Sequence, residues 1–262
     1  MILDPVRSLI DFPFYREVPK KSILACSGYI AYLSLLFSLA VVLALYARVA
    51  PMIDAAAQWA SSNVPAMTLQ DGKIECSIPG PLRIEHPETK LAFIVDTARI
   101  TPVTPAELAD GKVIGYIAQS TLYFTNQGKM EVYDLSKAAN KQPVRIDGEF
   151  YLKVAALIKK ALYPIGFITT WLIFFVWKHL SALVYSLIGL ALNAALSAGL
   201  EHADLYRVAV YAQTPVVVLQ IVSLFLPRNI PFAFLLSTML VTLYLWQAIR
   251  HLRPAAPAAE QT

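Results

Sequence analysis

Charge is scarce in this 262-residue sequence: 15% of its residues are charged and 57% are hydrophobic. Soluble chains carry about 25% charged and about 45–50% apolar residues, so a water-soluble globular protein is disfavoured at the outset. Cysteines number two, too few for a disulfide-stapled secreted module. Cys26 lies in an apolar run and Cys76 in a polar stretch, so both read as free thiols. The net charge of +4 is slight; it leaves no footprint for nucleic acid and suits the Lys/Arg bias of membrane proteins. No G-x-S-x-G, H-E-x-x-H, Walker A or G-x-G-x-x-G spacing occurs, and no internal repeat is evident. The expectation is a noncatalytic protein with no metal and no cofactor.

What the chain does have is long apolar runs, and a mean hydropathy of +0.54. A bilayer core of about 30 Å needs roughly 20 apolar residues in a helix rising about 1.5 Å per residue. Ser22 to Tyr46 meets this without a charge, behind Arg7, Arg16, Lys20 and Lys21 and with no nearby A-x-A cleavage site. It reads as a retained anchor whose amino end is cytoplasmic. Further runs follow from Ala161 to Leu200, broken only by Lys178 and His179, then from Val208 to Leu226 and from Asn229 to Ile249.

Whether residues 161–200 cross once or twice decides the topology. With four crossings Arg7, Arg16, Lys20, Lys21, Arg207, Arg250 and Arg253 share the cytoplasmic side, and Arg48, Lys159, Lys160 and Arg228 lie outside. Five crossings divide the flanking Lys/Arg evenly, so four is favoured and five stays possible. The expected fold is a polytopic α-helical membrane protein with a small extracytoplasmic α+β or mostly β domain between the first two helices. Residues 1–21 form a cytoplasmic segment, 22–48 the first crossing, 49–160 the external domain, 161–250 the bundle and 251–262 a disordered Ala/Pro-rich tail.

In the external domain the apolar residues alternate. Met67 and Leu69 precede Asp71-Gly72, and Ile74, Cys76 and Ile78 follow, the pattern of a hairpin on a type I′ turn. Leu91–Thr97, Val113–Ala118, Thr121–Thr125 and Lys129–Tyr133 read as strands, the last two joined through Asn126-Gln127-Gly128. Thr104-Pro105-Ala106-Glu107 reads as the capped start of a short helix, and Tyr151–Leu162 as a helix leading into the second crossing.

Three stretches carry a family resemblance: Ser8-Leu9-Ile10-Asp11-Phe12-Pro13-Phe14-Tyr15 before the first crossing, Asp71-Gly72 with Ile94-Val95-Asp96-Thr97, and Leu205-Tyr206-Arg207-Val208-Ala209-Val210-Tyr211-Ala212-Gln213-Thr214-Pro215. In these the chain resembles a bacterial membrane-protein family, domain of unknown function 1189, related to the Yip-type multispan proteins. The resemblance implies a bacterial cytoplasmic membrane and a multispan fold, with no settled activity. Some relatives look like accessory proteins of carbohydrate uptake, and the Yip-type proteins like membrane organisers.

Polar residues at membrane depth are costly and so are candidate sites. Tyr211, Gln213, Thr214 and Pro215 form one cluster, because Pro215 leaves a carbonyl free, as in the broken helices of transporters; a kink satisfied by Thr214 or Gln213 is the plainer reading. Asn193 stands on a stripe with Gly189 and Ser197 that suits close helix packing or a ligand path. Lys178 and His179 either end a crossing, with the lysine snorkelling, or serve as a buried relay. Glu201, His202 and Asp204 match no metal spacing. Outside, Asp96 ends an apolar strand with Glu85 and His86 upstream; turn and cap roles compete with binding or catalysis there. The expected partners are the lipid bilayer and another membrane or envelope protein, with a homo-oligomer possible. A small transporter or transporter subunit is the alternative reading, and an enzyme on a lipid or envelope substrate the third.

Overall fold

The computed structural model describes residues 3–78, 80–87, 89–108, 113–126, 129–137, 142–227 and 230–253. Four helices are long and apolar enough to cross a membrane: Ile23–Asn63, Gly148–Leu196, His202–Ser223 and Ala233–Leu252. A β-rich segment lies between the first two. The chain divides into two compact units, one of residues 1–49 and 161–262, the other of residues 50–160.

In the helical unit, α1 (Asp4–Ile10) and two short 3-10 turns at Phe12–Arg16 and Val18–Lys20 precede α2 (Ile23–Ala44). Ser22 caps α2 by accepting a hydrogen bond from the Ala25 N–H at 3.1 Å, satisfying one of the donors that a helix start leaves open. At Leu45–Val49 the helix widens into a π-turn ahead of Pro51, whose ring would collide with the carbonyl four residues back in a regular helix. The chain then continues as α3 (Ala50–Asn63) in the other unit.

Residues 161–200 do not cross twice. Residues 161–196 belong to one unbroken helix, running from Gly148 to Leu196 through Pro164, so Lys178 prolongs a helix and does not end one. Reversal comes only after Leu196, where Ser197 and Gly199 take positive φ. Asn193 brackets that turn: its amide donates to the Leu200 carbonyl at 3.0 Å and accepts from the Leu200 N–H at 3.1 Å. Two shorter helices (His202–Ala212 and Thr214–Ser223) make the third span, and the last span is Ala233–Leu252. Arg228 and Asn229 lie outside the described residues, as does the tail from Pro254.

The second unit holds two sheets. Strands β1 (Met67–Gln70) and β2 (Lys73–Cys76) form the expected hairpin, with Asp71 and Gly72 both at positive φ. A methyl at Gly72 would sit 2.7 Å from the Ser136 Cα, so the turn needs glycine for space as well as for φ. The larger sheet runs β3 (Leu82–Glu85), β4 (Ala92–Asp96), β5 (Val113–Ala118), β6 (Thr121–Asn126), β7 (Lys129–Asp134) in that order. Only β4 and β5 pair in parallel in it, and the crossover this demands carries α4 (Pro105–Leu108). Val144–Ile146, β8, returns to pair with β1. The sequence pattern missed β3 and β8, which are short and lie beside prolines and charges. Gln127 and Gly128, the expected β6–β7 turn, are outside the described residues. Two apolar cores hold the unit: Val103, Leu108, Val113, Tyr116 and Tyr123 on one side of the large sheet, and Met67, Ile74, Ile84 and Val95 between the sheets.

Candidate functional site

The third span breaks for a local reason. Pro215 cannot donate to the carbonyl of Tyr211, four residues before it. That carbonyl accepts from the Gln213 backbone N–H and, at 2.7 Å, from the Thr214 hydroxyl. With the threonine hydrogen committed there, the Tyr29 hydroxyl, 2.7 Å away, donates to Thr214 Oγ1. Ser8 of α1 completes the group: its Oγ donates to Thr214 Oγ1 at 3.0 Å and stands 3.2 Å from the Tyr29 hydroxyl. Tyr15 in turn donates to the Ser8 carbonyl at 3.0 Å. All four side chains are buried. Around them the Tyr29 and Tyr211 rings stack at 4.1 Å, Phe14 packs edge-on against Tyr211, and the Lys21 ammonium, paired with Asp4, lies over both Phe14 and Tyr211.

One side of the break is less well satisfied. Gln213 donates through Nε2 to the Lys178 carbonyl at 3.3 Å, but its Oε1 has no partner among the described residues, nor has Oε1 of Gln220. Lys178 is only 4% exposed; its ammonium lies 4.9 Å from the centre of the Phe174 ring, and no carboxylate or carbonyl within the described residues reaches it. Its neighbour His179 is accounted for. Nδ1 faces the Phe175 carbonyl at 2.9 Å, so it carries the hydrogen, and Nε2 accepts from the Ser27 hydroxyl at 3.1 Å.

Of the residues singled out from the sequence, the fold thus brings together Tyr211, Gln213, Thr214, Pro215 and Lys178, with His179 beside them. Asn193 is elsewhere, closing the turn after the second span. Sequence reasoning missed Ser8, Tyr15 and Tyr29. The stretch around Ser8 stood out as a motif, but nothing in periodicity says that a segment before the first span folds back onto the third.

The profile described as "Protein of unknown function (DUF1189)" matches residues 6–249. The chain belongs to that family. No curated protein and no solved structure matches it. The matched span includes Ser8, Tyr29 and Thr214, so the DUF1189 region contains the whole buried polar group.

The β-rich unit of this DUF1189 protein does not gather Asp96, Glu85 and His86. Glu85 pairs with Ala92 at one end of β4 while Asp96 is at the other, four strand positions and about 13 Å apart at about 3.3 Å per residue. His86 packs against the Trp59 ring at 4.8 Å. Asp96 accepts a hydrogen bond from Tyr116 at 2.8 Å. Beyond it Arg99 spends every guanidinium N–H within the module, on the carbonyls of Thr101 and Pro102, both oxygens of Glu107 and the Tyr116 hydroxyl. Thr104 adds two donors to Glu107, its backbone N–H and its hydroxyl; only the glutamate half of a capping box forms, since the Glu107 N–H goes to the Thr104 carbonyl and not to its side chain. The Arg99 bond first, and those from Thr104 next, hold the Glu107 carboxyl down to about 2. This cluster clamps the crossover loop and has no donor left for a ligand. Among the described residues no group of three or more His, Cys, Asp or Glu is placed to hold a metal ion.

Proposed function

We propose that this DUF1189 protein is a noncatalytic component of a membrane complex, and that its inserted β-rich module binds a partner protein of the membrane or envelope. The observation that carries this reading is the open side of the five-stranded sheet. β7 ends the sheet, no described strand pairs with its outer edge, and Val132 and Tyr133 on it are exposed. A strand edge with apolar side chains is a ready template for strand addition by another chain. The module then lies outside the cytoplasm, the amino terminus within it, and the four spans in a bacterial cytoplasmic membrane, as the Lys/Arg distribution favours. A kinship with the Yip-type membrane organisers is consistent with this role. The test is a photo-crosslinker at position 133 in cells, compared with one at buried Tyr123. A discrete adduct from 133 that is lost in Val132→Pro supports the reading; equal or absent adducts at both positions refute it.

One observation favours a second reading, a small transporter or transporter subunit: among the described residues, Gln213 at a proline-broken helix leaves its Oε1 without a partner and bonds the backbone of Lys178, a buried lysine whose ammonium has only the Phe174 ring against it. Solute or proton flux into vesicles carrying the purified chain, abolished by Lys178→Met, would support it over the scaffold.

A further inference from the structure

The N-terminal segment has its polarity inverted. On α1 the residues turned inward are Asp4, bonded to Lys21, and Ser8, bonded into the Tyr29–Thr214 group. The residues turned outward are Leu3, Val6 and Ile10, with 68%, 53% and 76% of their surface exposed. They recur at the three- and four-residue steps of one helix stripe. In water such a helix would turn over, since an apolar stripe is driven inward and carboxylate and hydroxyl groups outward. Tertiary bonds prevent that here: Tyr15 holds the Ser8 carbonyl, Tyr244 donates to the Leu9 carbonyl at 3.0 Å, and Phe12 stacks on the ring of His251. Exposed apolar side chains recur on α2. Leu24, 82% exposed, begins a stripe that runs through Leu35, Leu39 and Leu43, the lipid-facing side of the first span. The Lys21–Asp4 pair ties the start of α1 to the residues just before that stripe. Arg7, on the flank of this stripe next to Leu3 and Ile10, is drawn aside by Glu17 and Asp11, and Arg16 reaches the His251 carbonyl.

We infer that residues 3–10 are seated in the acyl-chain boundary of one leaflet, with phospholipid covering Leu3, Val6 and Ile10, and are not a water-exposed tail. What selects lipid as the occupant is the Lys21–Asp4 tie, which fixes α1 at the start of the first span, a helix whose own exposed stripe is leucine. The placement also explains why Ser8 supplies the hydroxyl at the proline break: beneath a lipid-covered helix there is no water to satisfy Thr214 and Tyr29.

The test uses the full chain with Cys76→Ser, in which buried Cys26 takes no label while the bundle is folded. Val6→Cys, Ile10→Cys, Leu39→Cys and Lys20→Cys are each labelled with a small fluorophore and reconstituted into phosphatidylcholine vesicles. Nitroxides on the acyl chains are expected to quench positions 6, 10 and 39 several-fold more strongly than position 20, and aqueous iodide to do the reverse. Iodide quenching of 6 and 10 equal to that of 20 would overturn the proposal. So would resistance of 6 and 10 to both quenchers with self-quenching that grows with protein density, because a second copy would then cover the stripe. Substitution at two exposed positions, with unlabelled Cys26 as the folding control, keeps a misfolded variant from being read as either result.

Discussion

Removing the Tyr29 hydroxyl tests the polar group at the helix break most directly. Tyr29→Phe keeps the ring that stacks on Tyr211 at 4.1 Å and deletes only the oxygen lying 2.7 Å from Thr214 and 3.2 Å from Ser8. Each such bond contributes about 0.5–1.5 kcal/mol net. The single Ser8 hydrogen still goes to Thr214 Oγ1 or to the Pro5 carbonyl, and the Thr214 hydroxyl still donates to the Tyr211 carbonyl, so neither hydroxyl is left bare. The loss should therefore be about 1–2 kcal/mol, which raises the open population about 5–30-fold. Thr214→Val costs more, because it also strips the hydroxyl from the Tyr211 carbonyl that Pro215 leaves free. Cys26, fully buried on the same helix as Tyr29, is a built-in reporter: its rate of thiol labelling in detergent or vesicles follows opening of this end of the bundle. Half-buried Cys76 in the other unit supplies the control. Tyr29→Phe should accelerate Cys26 labelling by that factor and leave Cys76 unchanged. In a double-mutant cycle with Thr214→Val the two losses should fall short of additive by about 0.5–1.5 kcal/mol. A wild-type labelling rate in Tyr29→Phe, or strict additivity in the cycle, refutes the hydroxyl network.

Lys178→Met, which replaces an ammonium without a counter-charge by a side chain of similar length, should stabilise the helical unit by about 2–3 kcal/mol and raise its thermal midpoint in detergent; a lower midpoint would mean that the charge is supported by a partner. Asn193→Ala removes both bonds that bracket Leu200 and should cost about 1–3 kcal/mol in the same melt, with no effect on any flux. For Glu107 the sign is that of a depressed carboxylate. Its ion pair with Arg99 contributes fully above the ordinary glutamate value of 4.5 and is lost as pH falls from there through about 2. Hydrogen exchange of residues 97–108, corrected for intrinsic rates, should therefore quicken over that window in the wild type, and Glu107→Gln should abolish the pH dependence.

Much of the module was legible because its signals are local. Asp71-Gly72 between alternating apolar residues needs only a turn and its flanks, and the helix start at Thr104 to Glu107, with Glu107 accepting from Thr104, lies within four residues. β8 was not legible, because three residues, Val144–Ile146, become a strand only by pairing with β1, some seventy-five positions earlier in the chain. The bundle divides in the same way. That Pro215 frees a carbonyl and that Thr214 can take it up follow from backbone chemistry, and the fold agrees. That Asn193 would close a turn instead of joining Thr214 depended on where the long second helix stops, at Leu196, a limit which hydropathy that stays high to Leu200 does not mark.

By itself, then, the sequence determined that long apolar helices would seek lipid, favouring four over five, and that an insert with alternating apolar residues would fold as sheet, because hydrophobic transfer and turn chemistry act on neighbours along the chain. Tertiary structure alone decided that Ser8 meets Tyr29 and Thr214 across intervals of 21 and 206 residues, and that α1 turns its polar side in. A buried hydroxyl takes whatever donor or acceptor packing brings within about 3 Å, and no property of the segment itself encodes that.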